Sequence, residues 1–317
     1  MCALPSVWAV KQRQIYSDGN AVERGKCQEC AGLLGSLDQF CASFYHVEAT
    51  PEGDMKALCL STACGLRPCP RKTVVAVARV QRVGGAHEDV YVARYSNCFK
   101  GSSESNVHAE HFMLSDAGLA HAIQAATAGS RGGSGGQRGQ PAAVRLTVYL
   151  TYQPCHHSGG HSRRGMGEHG TSCTELLCSY LRDVLAPLGI TLELKITYLY
   201  RAHWEAGAYD SKYAPAVEAA RKGLRLLSEA GIACSACNGG DWEWLIGLCD
   251  ETVREAWRDG EYPFGVAPRK QRLKMDSFID SFLQRLGAGA RVATVDVVTA
   301  ESQAVAAADV AIEMVTP

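Results

Sequence analysis

The residues best suited to chemistry are one histidine, one carboxylate and two cysteines, and each lies near the predicted end of a helix or strand. His108 and Glu110 form a His-Ala-Glu sequence at the predicted start of a helix, and Cys155 follows Pro154 where a predicted strand ends. Cys173 lies at the predicted start of the next helix. One imidazole and two thiolates suit Zn²⁺, and three protein ligands leave a fourth position for water. We therefore expect His108, Cys155 and Cys173 to bind a catalytic zinc ion, with Glu110 beside it as a proton shuttle.

Cys173 is the third ligand that the predicted helix start favours. Ser172 as N-cap and Glu175 three residues later predict a capping box, which makes Cys173 the first residue of the helix. The helix dipole and the free N–H groups at that position favour the thiolate that a metal needs. The 17 residues 156–172 separate the two cysteines, and their glycines allow this segment to loop out and return. The alternatives for the third position are four histidines of this segment: His156, His157, His161 and His169.

The composition limits the class of protein. The 317 residues are enough for one large domain or two modest ones. The chain has 32 Lys and Arg against 33 Asp and Glu, a formal net charge of -1, which argues against a histone-like basic coat and an acidic disordered tail. No apolar run approaches the roughly 20 residues of a membrane helix, so no membrane partner is expected.

The cysteine content favours metal binding over disulfides. The chain has 14 Cys, and its N-terminus lacks the basic segment, apolar stretch and cleavage site of a secretory signal. We therefore expect a reducing location, cytoplasmic or nuclear, where closely spaced cysteines bind metals or do chemistry. The pairs Cys27/Cys30 and Cys234/Cys237 have the C-x-x-C spacing of half a structural zinc site, and the alternative is that they are buried free thiols.

The predicted elements alternate in a way that indicates an α/β fold. Two β-rich segments around Gly84-Gly85 predict a hairpin, and a helix follows from near His108, where Ser105 or Asn106 can cap it. Strands separated by helices favour parallel pairing, whereas a hairpin is antiparallel. The sequence therefore predicts a mixed sheet with helices on its faces, with strands near 73–80, 89–95, 144–151, 190–200 and 232–234 and helices near 108–126, 173–185 and 214–230 and from 241.

The chain divides into three predicted regions. Residues 1–71 are a Cys-rich N-terminal extension, residues 72–255 are the core, and residues 256–317 are a C-terminal extension with a basic helix around 269–274 and an Ala/Val-rich tail. Two Gly-rich loops carry arginines that, together with the basic helix, either line a path for phosphates or form solvated faces: Arg131, Arg138, Arg163 and Arg164.

The chemical residues, taken in order, resemble the H-x-E…P-C-x-x-C signature of zinc nucleobase deaminases. Over roughly residues 72–255 the chain is similar to the AID/APOBEC-like cytidine deaminase superfamily. Residues 148–155 are similar to that family's strand ending in Ser-Trp-Ser-Pro-Cys, and residues 196–204 resemble its fourth strand and substrate-selecting loop. Residues 223–232 and 241–245 look like its later helix, parallel strand and following helix. The family usually separates its two zinc cysteines by only a few residues, so the long segment between Cys155 and Cys173 departs from its pattern.

The resemblance implies a three-layer α-β-α cytidine deaminase-like fold with a mixed five-stranded sheet and flanking helices. It also implies zinc-dependent hydrolytic deamination of cytosine to uracil in single-stranded DNA or RNA, with Glu110 transferring the proton. Single-stranded nucleic acid is then the expected partner. Substrate contacts are expected from five residues: Asn97, Ala109, Tyr152, His203 and Trp204.

Alternatives accompany these expectations. Asn97 either recognises a sugar or phosphate or makes a turn. Tyr152 and Tyr200 either belong to the core or stack on a base, whereas Trp204 lies beyond the predicted strand, where a base can stack on it. The same zinc chemistry suits a deaminase of free cytidine or deoxycytidine. A non-catalytic, zinc-stabilised nucleic-acid-binding module is a further alternative, and it would have no need of Glu110.

Overall fold

One mixed β-sheet organises the residues that the computed structural model describes, which are 13–15, 44–45, 75–83, 88–96, 108–128, 143–156, 171–205, 211–261 and 264–287. Its six strands are β1 (Arg13–Ile15), β2 (Val75–Val83), β3 (Glu88–Ser96), β4 (Ala143–Tyr152), β5 (Thr191–Tyr198) and β6 (Ala233–Ser235), in the spatial order β1-β3-β2-β4-β5-β6. The first four strands in this order pair antiparallel, and β4-β5 and β5-β6 pair parallel. The predicted hairpin and mixed five-stranded sheet are confirmed, and β1 is an additional edge strand that the sequence analysis did not identify.

Seven α-helices flank this sheet within the described residues. They are α1 (Ala109–Leu114), α2 (Ala117–Ala128), α3 (Cys173–Tyr180), α4 (Ala214–Glu229), α5 (Gly239–Gly247), α6 (Glu251–Asp259) and α7 (Val266–Leu286). A π-helical turn, Leu181–Leu185, and a 3-10 turn, Ala186–Leu188, continue α3, and the 3-10 turn Ser211–Tyr213 precedes α4. None of the helices in the described part of the chain combines the length and apolar composition needed to cross a bilayer.

The strands separate two helical layers because successive side chains of a strand point to opposite faces. On β4, Leu146, Val148 and Leu150 pack in a large apolar cluster with α1, α2, α3 and α4. Tyr149 points the other way and belongs to a second cluster with α5 and α6. The expected three-layer α-β-α fold is therefore confirmed.

The predicted helix after His108 is interrupted at Ser115 and Asp116, which separate α1 from α2. The carboxylate of Asp116 accepts hydrogen bonds from the hydroxyls of Tyr91 and Tyr95 on β3, each at 2.6 Å, and from the backbone N–H of Gly118 at 2.8 Å. Asp competes with the helix for backbone partners and favours helix starts. The expected single helix is therefore two helices.

Helix α7 packs on the core, although it belongs to the region that the sequence analysis described as an extension. Met275, Ile279 and Leu283 join the large apolar cluster. Arg272, one of the cations of the predicted basic helix, is only 1% exposed and forms an ion pair with Asp276 at 2.6 Å. The predicted region boundary at 255/256 falls inside α6, and the basic run 269–274 is not a continuous solvated face.

Candidate metal centre

His108, Cys155 and Cys173 meet at one point in the structure. His108 directly precedes α1, Cys155 lies three residues after β4, and Cys173 is the first residue of α3. The Nδ1 atom of His108 lies 3.3 Å from Sγ of Cys173 and 3.5 Å from Sγ of Cys155. The three candidate ligand atoms all lie within 4.8 Å of one another, so this group could bind a metal ion.

The spacing of these atoms fits a tetrahedral site. Zinc binds imidazole nitrogen at about 2.0–2.1 Å and thiolate sulfur at about 2.3 Å, so a tetrahedral angle separates such ligands by about 3.6 Å. The observed nitrogen–sulfur distances of 3.3 and 3.5 Å are close to that value. The donor set and its spacing therefore suit a metal that prefers nitrogen and sulfur ligands.

The start of α3 is held by the capping box that the sequence predicts, and this prediction is confirmed. The hydroxyl of Ser172 accepts a hydrogen bond from the backbone N–H of Glu175 at 3.3 Å, and the Glu175 carboxylate accepts one from the backbone N–H of Ser172 at 2.9 Å. The backbone N–H of Thr174 donates to the carbonyl of Cys155 at 3.1 Å. The start of α3, which carries Cys173, is therefore hydrogen-bonded directly to the segment that carries Cys155.

The start of α1 differs from the expectation. Its N-cap is His108 itself, in an extended conformation with φ -76° and ψ 155°, and the His108 side chain makes no capping hydrogen bond. The expected caps, Ser105 and Asn106, lie outside the described residues. Because the His108 side chain is not used as a cap, its ring nitrogen faces the two sulfurs instead.

Glu110 is buried next to this group. It is 2% exposed, and its Oε2 atom has no hydrogen-bond partner among the residues that the structure describes. Burial raises the pKa of Glu110, while the positive charge of His108 opposes that change. A buried carboxylate oxygen without a hydrogen-bond partner is costly to folding.

The two sulfurs have unequal proton affinities. A hydrogen bond from Cys173 lowers the pKa of the Cys155 thiol, with a further contribution from His108. Burial and the charge of Cys155 raise the pKa of the Cys173 thiol. Burial acts to lower the pKa of His108, but the hydrogen bond and charge of Cys155 outweigh it and raise the pKa to about 9. The group thus stabilises a thiolate, which is the ionisation state of cysteine that binds metals.

His156, one of the alternatives for the third ligand, points elsewhere. Its Nδ1 atom lies 3.3 Å from the hydroxyl of Ser172. His157, His161 and His169 lie outside the described residues. Among the residues that the structure describes, Cys173 is therefore the third member of the group that contains His108 and Cys155.

Gly223 on α4 packs against two residues that neighbour the candidate metal group, and the sequence analysis did not identify this contact. A Cβ atom added there would lie 2.8 Å from Cβ of His156 and 3.0 Å from the hydroxyl of Thr174. These two residues directly follow Cys155 and Cys173 in the chain. The available signal was a glycine in the interior of a predicted helix, which usually has a packing or functional reason.

Two of the predicted substrate residues are aromatic, and they have different surroundings. Tyr152, at the end of β4, is half-buried, and its ring lies 5.8 Å from that of Tyr198. Trp204 is only 8% exposed, and its ring packs edge-on against Tyr213 at 5.7 Å. The more exposed aromatic residue of this region is Tyr200, at 40%, which the sequence analysis left as either a core or a stacking residue.

The other predicted substrate residues have varied locations. His203 packs edge-on against Phe278 of α7 with 5.8 Å between the ring centres. Ala109 is fully buried as the first residue of α1, and Asn97 lies outside the described residues. The substrate role of all five residues stays a prediction.

The C-x-x-C pair Cys234/Cys237 does not resemble half a metal site. Cys234 belongs to the large apolar cluster, whereas Cys237 belongs to the cluster on the opposite face of the sheet. Burial raises the pKa of Cys234 to about 12 and that of Cys237 well above its ordinary value. Both behave as buried thiols, and Cys27 and Cys30 lie outside the described residues.

No known protein-family model matches the chain, and no curated protein matches it.

Proposed function

We propose that this protein is a zinc-dependent hydrolase that deaminates cytosine to uracil in single-stranded nucleic acid. The observation that carries the proposal is the buried carboxylate of Glu110, with an unpartnered oxygen among the described residues, two residues from His108. A metal site that only stabilises the fold needs no such carboxylate. A site that activates water needs a group that moves protons.

His108, Cys155 and Cys173 would hold the zinc. Bound there, zinc would supply a water molecule whose pKa is lowered to about 7 and would leave a coordination position open for it. The nitrogen–sulfur donor set is that of the zinc nucleobase deaminases, in which a nearby glutamate is not a ligand. Glu110 matches that glutamate in its position two residues after the histidine.

Glu110 would act as the general acid and base. It would carry one proton of the attacking water to N3 of the ring and the second, from the hydroxyl then bonded to C4, to the departing amine, so that cytosine and water become uracil and ammonia. The buried location of its carboxylate keeps bulk water from competing for that proton.

The ends of β4 and β5 would hold the base. The Tyr152 and Tyr200 rings lie 6.3 Å apart, and the guanidinium of Arg201 lies 4.9 Å from the Tyr200 ring centre. Exposed aromatic rings next to a cation are the surface on which single-stranded bases stack. This grouping supports a polynucleotide substrate.

The decisive experiment measures uracil formation in single-stranded DNA and RNA oligonucleotides and in free cytidine, using zinc-loaded protein. In Glu110→Gln we expect the rate to fall by about 100-fold or more, the usual contribution of a general acid–base group, with zinc content unchanged. Glu193→Gln is the matched control, because Glu193 lies on β5 in an ion pair with Arg145 at 3.3 Å, away from the metal centre. Full activity in Glu110→Gln, or no uracil from any cytosine substrate, would overturn the proposal.

A further inference from the structure

The exposed charges of α7 are all positive. Lys270, Lys274 and Arg285 are exposed on this helix, and we call these three residues the basic stripe. The two carboxylates of α7 face inward. Asp276 is 5% exposed and pairs with a buried guanidinium, and Asp280 accepts a hydrogen bond of 2.7 Å from the backbone N–H of residue 236. The stripe is thus a local feature of a chain whose formal net charge is -1.

The basic stripe follows one side of the helix. With 3.6 residues per turn, Lys270, Lys274 and Arg285 lie within about 60° of one another around the helix axis. A rise of 1.5 Å per residue makes the distance along the axis from the first to the last about 22 Å. The three cations therefore form a line that an extended chain can follow.

The basic stripe adjoins the predicted substrate loop. Phe278, one turn after Lys274 on the same side of α7, packs against the ring of His203 at 5.8 Å. His203 follows β5, and β5 runs parallel to β4, so the chain leaves both strands at the same edge of the sheet. Cys155 follows β4 at that edge.

The N-terminal half of α7 is also fixed to the edge of the sheet at which β4 and β5 end. The guanidinium of Arg272 donates a hydrogen bond of 2.9 Å to the carbonyl of Thr197, near the end of β5. The position of α7 relative to the loop at His203 is therefore set by a buried contact as well as by the ring pair. The part of α7 that carries Lys270 and Lys274 is therefore held at the edge of the sheet where Cys155 follows β4.

We propose that the basic stripe binds the phosphodiester backbone of single-stranded nucleic acid on one side of the reacting base. This inference rests on the proposed function, and it assigns the partner surface of that site. Ammonium and guanidinium groups are strong phosphate binders, and each phosphate that they neutralise releases counterions. The absence of exposed carboxylates on α7 makes this face complementary to a polyanion.

The test removes two charges from the stripe and compares binding. Lys270→Gln/Lys274→Gln is measured against Arg254→Gln/Arg258→Gln on α6, which has the same four-residue spacing and the same change in charge. Binding of fluorescently labelled oligonucleotides of about 15 nucleotides, one DNA and one RNA, is followed by anisotropy over a range of salt concentrations. Thermal unfolding verifies that both variants stay folded, as expected because the substituted side chains are on the surface.

The expected result follows from counterion release. For single strands each lost phosphate contact makes the negative slope of log K against log salt concentration shallower by about 0.7. The lysine variant, which loses two contacts, should therefore have a slope that is shallower by about 1.4. At 0.1 M salt this corresponds to roughly 25-fold weaker binding. The arginine variant should bind as the unaltered protein does. The DNA and RNA arms show which backbone the stripe prefers.

The outcomes separate this inference from the proposed function. Binding that depends on the stripe in a protein that forms no uracil supports the backbone contact and overturns the deaminase proposal. Uracil formation with an unchanged salt slope in the lysine variant overturns the backbone contact and leaves the deaminase proposal standing. An unaltered protein that binds neither oligonucleotide also overturns the backbone contact.

Discussion

At the scale of single residues, Gly223 sets how closely α4 approaches the metal centre. Its neighbours across the contact, His156 and Thr174, each follow a cysteine of the candidate metal group. A side chain at position 223 must therefore displace both ligand-bearing segments together. If the candidate group binds a metal ion, Gly223 is a positioning residue for its ligands.

The Gly223→Ala variant tests that role. Where nothing crowds the side chain, alanine in a helix interior makes the folded protein more stable than glycine does by about 0.5–1 kcal/mol. Here the added Cβ atom would lie 2.8 Å from Cβ of His156, and the displacement of these packed segments costs roughly 1–3 kcal/mol. We expect lower stability in urea and weaker zinc binding in competition with a chelator. Gly247→Ala on α5 is the matched control, because nothing lies within 4 Å of an added Cβ there. Unchanged zinc affinity in Gly223→Ala would remove its positioning role.

At the scale of elements, the capping box of α3 does two things at once. It satisfies backbone groups at the helix start, and it places Cys173 as the first helical residue beside the carbonyl and the sulfur of Cys155. The stability of this helix end and the geometry of the metal centre are therefore coupled.

The Ser172→Ala variant measures this coupling. Loss of an N-cap side chain costs typically about 1 kcal/mol, and here the freed helix end also carries Cys173 of the candidate metal group. We expect that loss of stability together with faster zinc release to a chelator. Asp250→Ala is the control, because Asp250 caps α6 by accepting a hydrogen bond from Val253 at 3.2 Å, and α6 carries no member of the candidate metal group. If both variants release zinc at the same rate as the unaltered protein, the helix cap and the metal centre are independent.

At the scale of the whole molecule, a buried ion pair joins α7 to the sheet. Arg272 contacts Asp276 and the end of β5, and its guanidinium lies 5.0 Å from the Trp242 ring centre. The indole N–H of Trp242 donates to Asp276 at 2.9 Å. Residues of three elements thus share one buried charge network, and α7 is part of the folded domain.

The Arg272→Met variant tests this arrangement. Removing one partner leaves the Asp276 carboxylate buried without its cation, which typically costs about 3–5 kcal/mol in the free energy of unfolding. The double variant Arg272→Met/Asp276→Leu should recover much of that loss, because an apolar replacement of both partners avoids the buried charge. The control Arg182→Met removes an ion pair with Asp183 in which the arginine side chain is 72% exposed, and it should leave the free energy of unfolding nearly unchanged. Urea denaturation measures the free energy of unfolding of all three variants. An Arg272→Met protein as stable as the Arg182→Met control would contradict the contribution of the buried ion pair to stability.

The sequence by itself determined the features that depend on neighbours along the chain. The hairpin, the β-rich strand segments and the Ser172–Glu175 capping box follow from local propensity and local hydrogen bonding, and the structure contains all three. Only the tertiary structure decided the features that depend on residues distant in the chain. Asp116 divides a helix because two tyrosines of β3 donate to its carboxylate, and Arg272 is buried because α7 packs on β5. His108, Cys155 and Cys173 meet because two helix starts and one strand end converge at one edge of the sheet. Such convergence depends on how the layers pack, and no local pattern of the sequence encodes the distance between them.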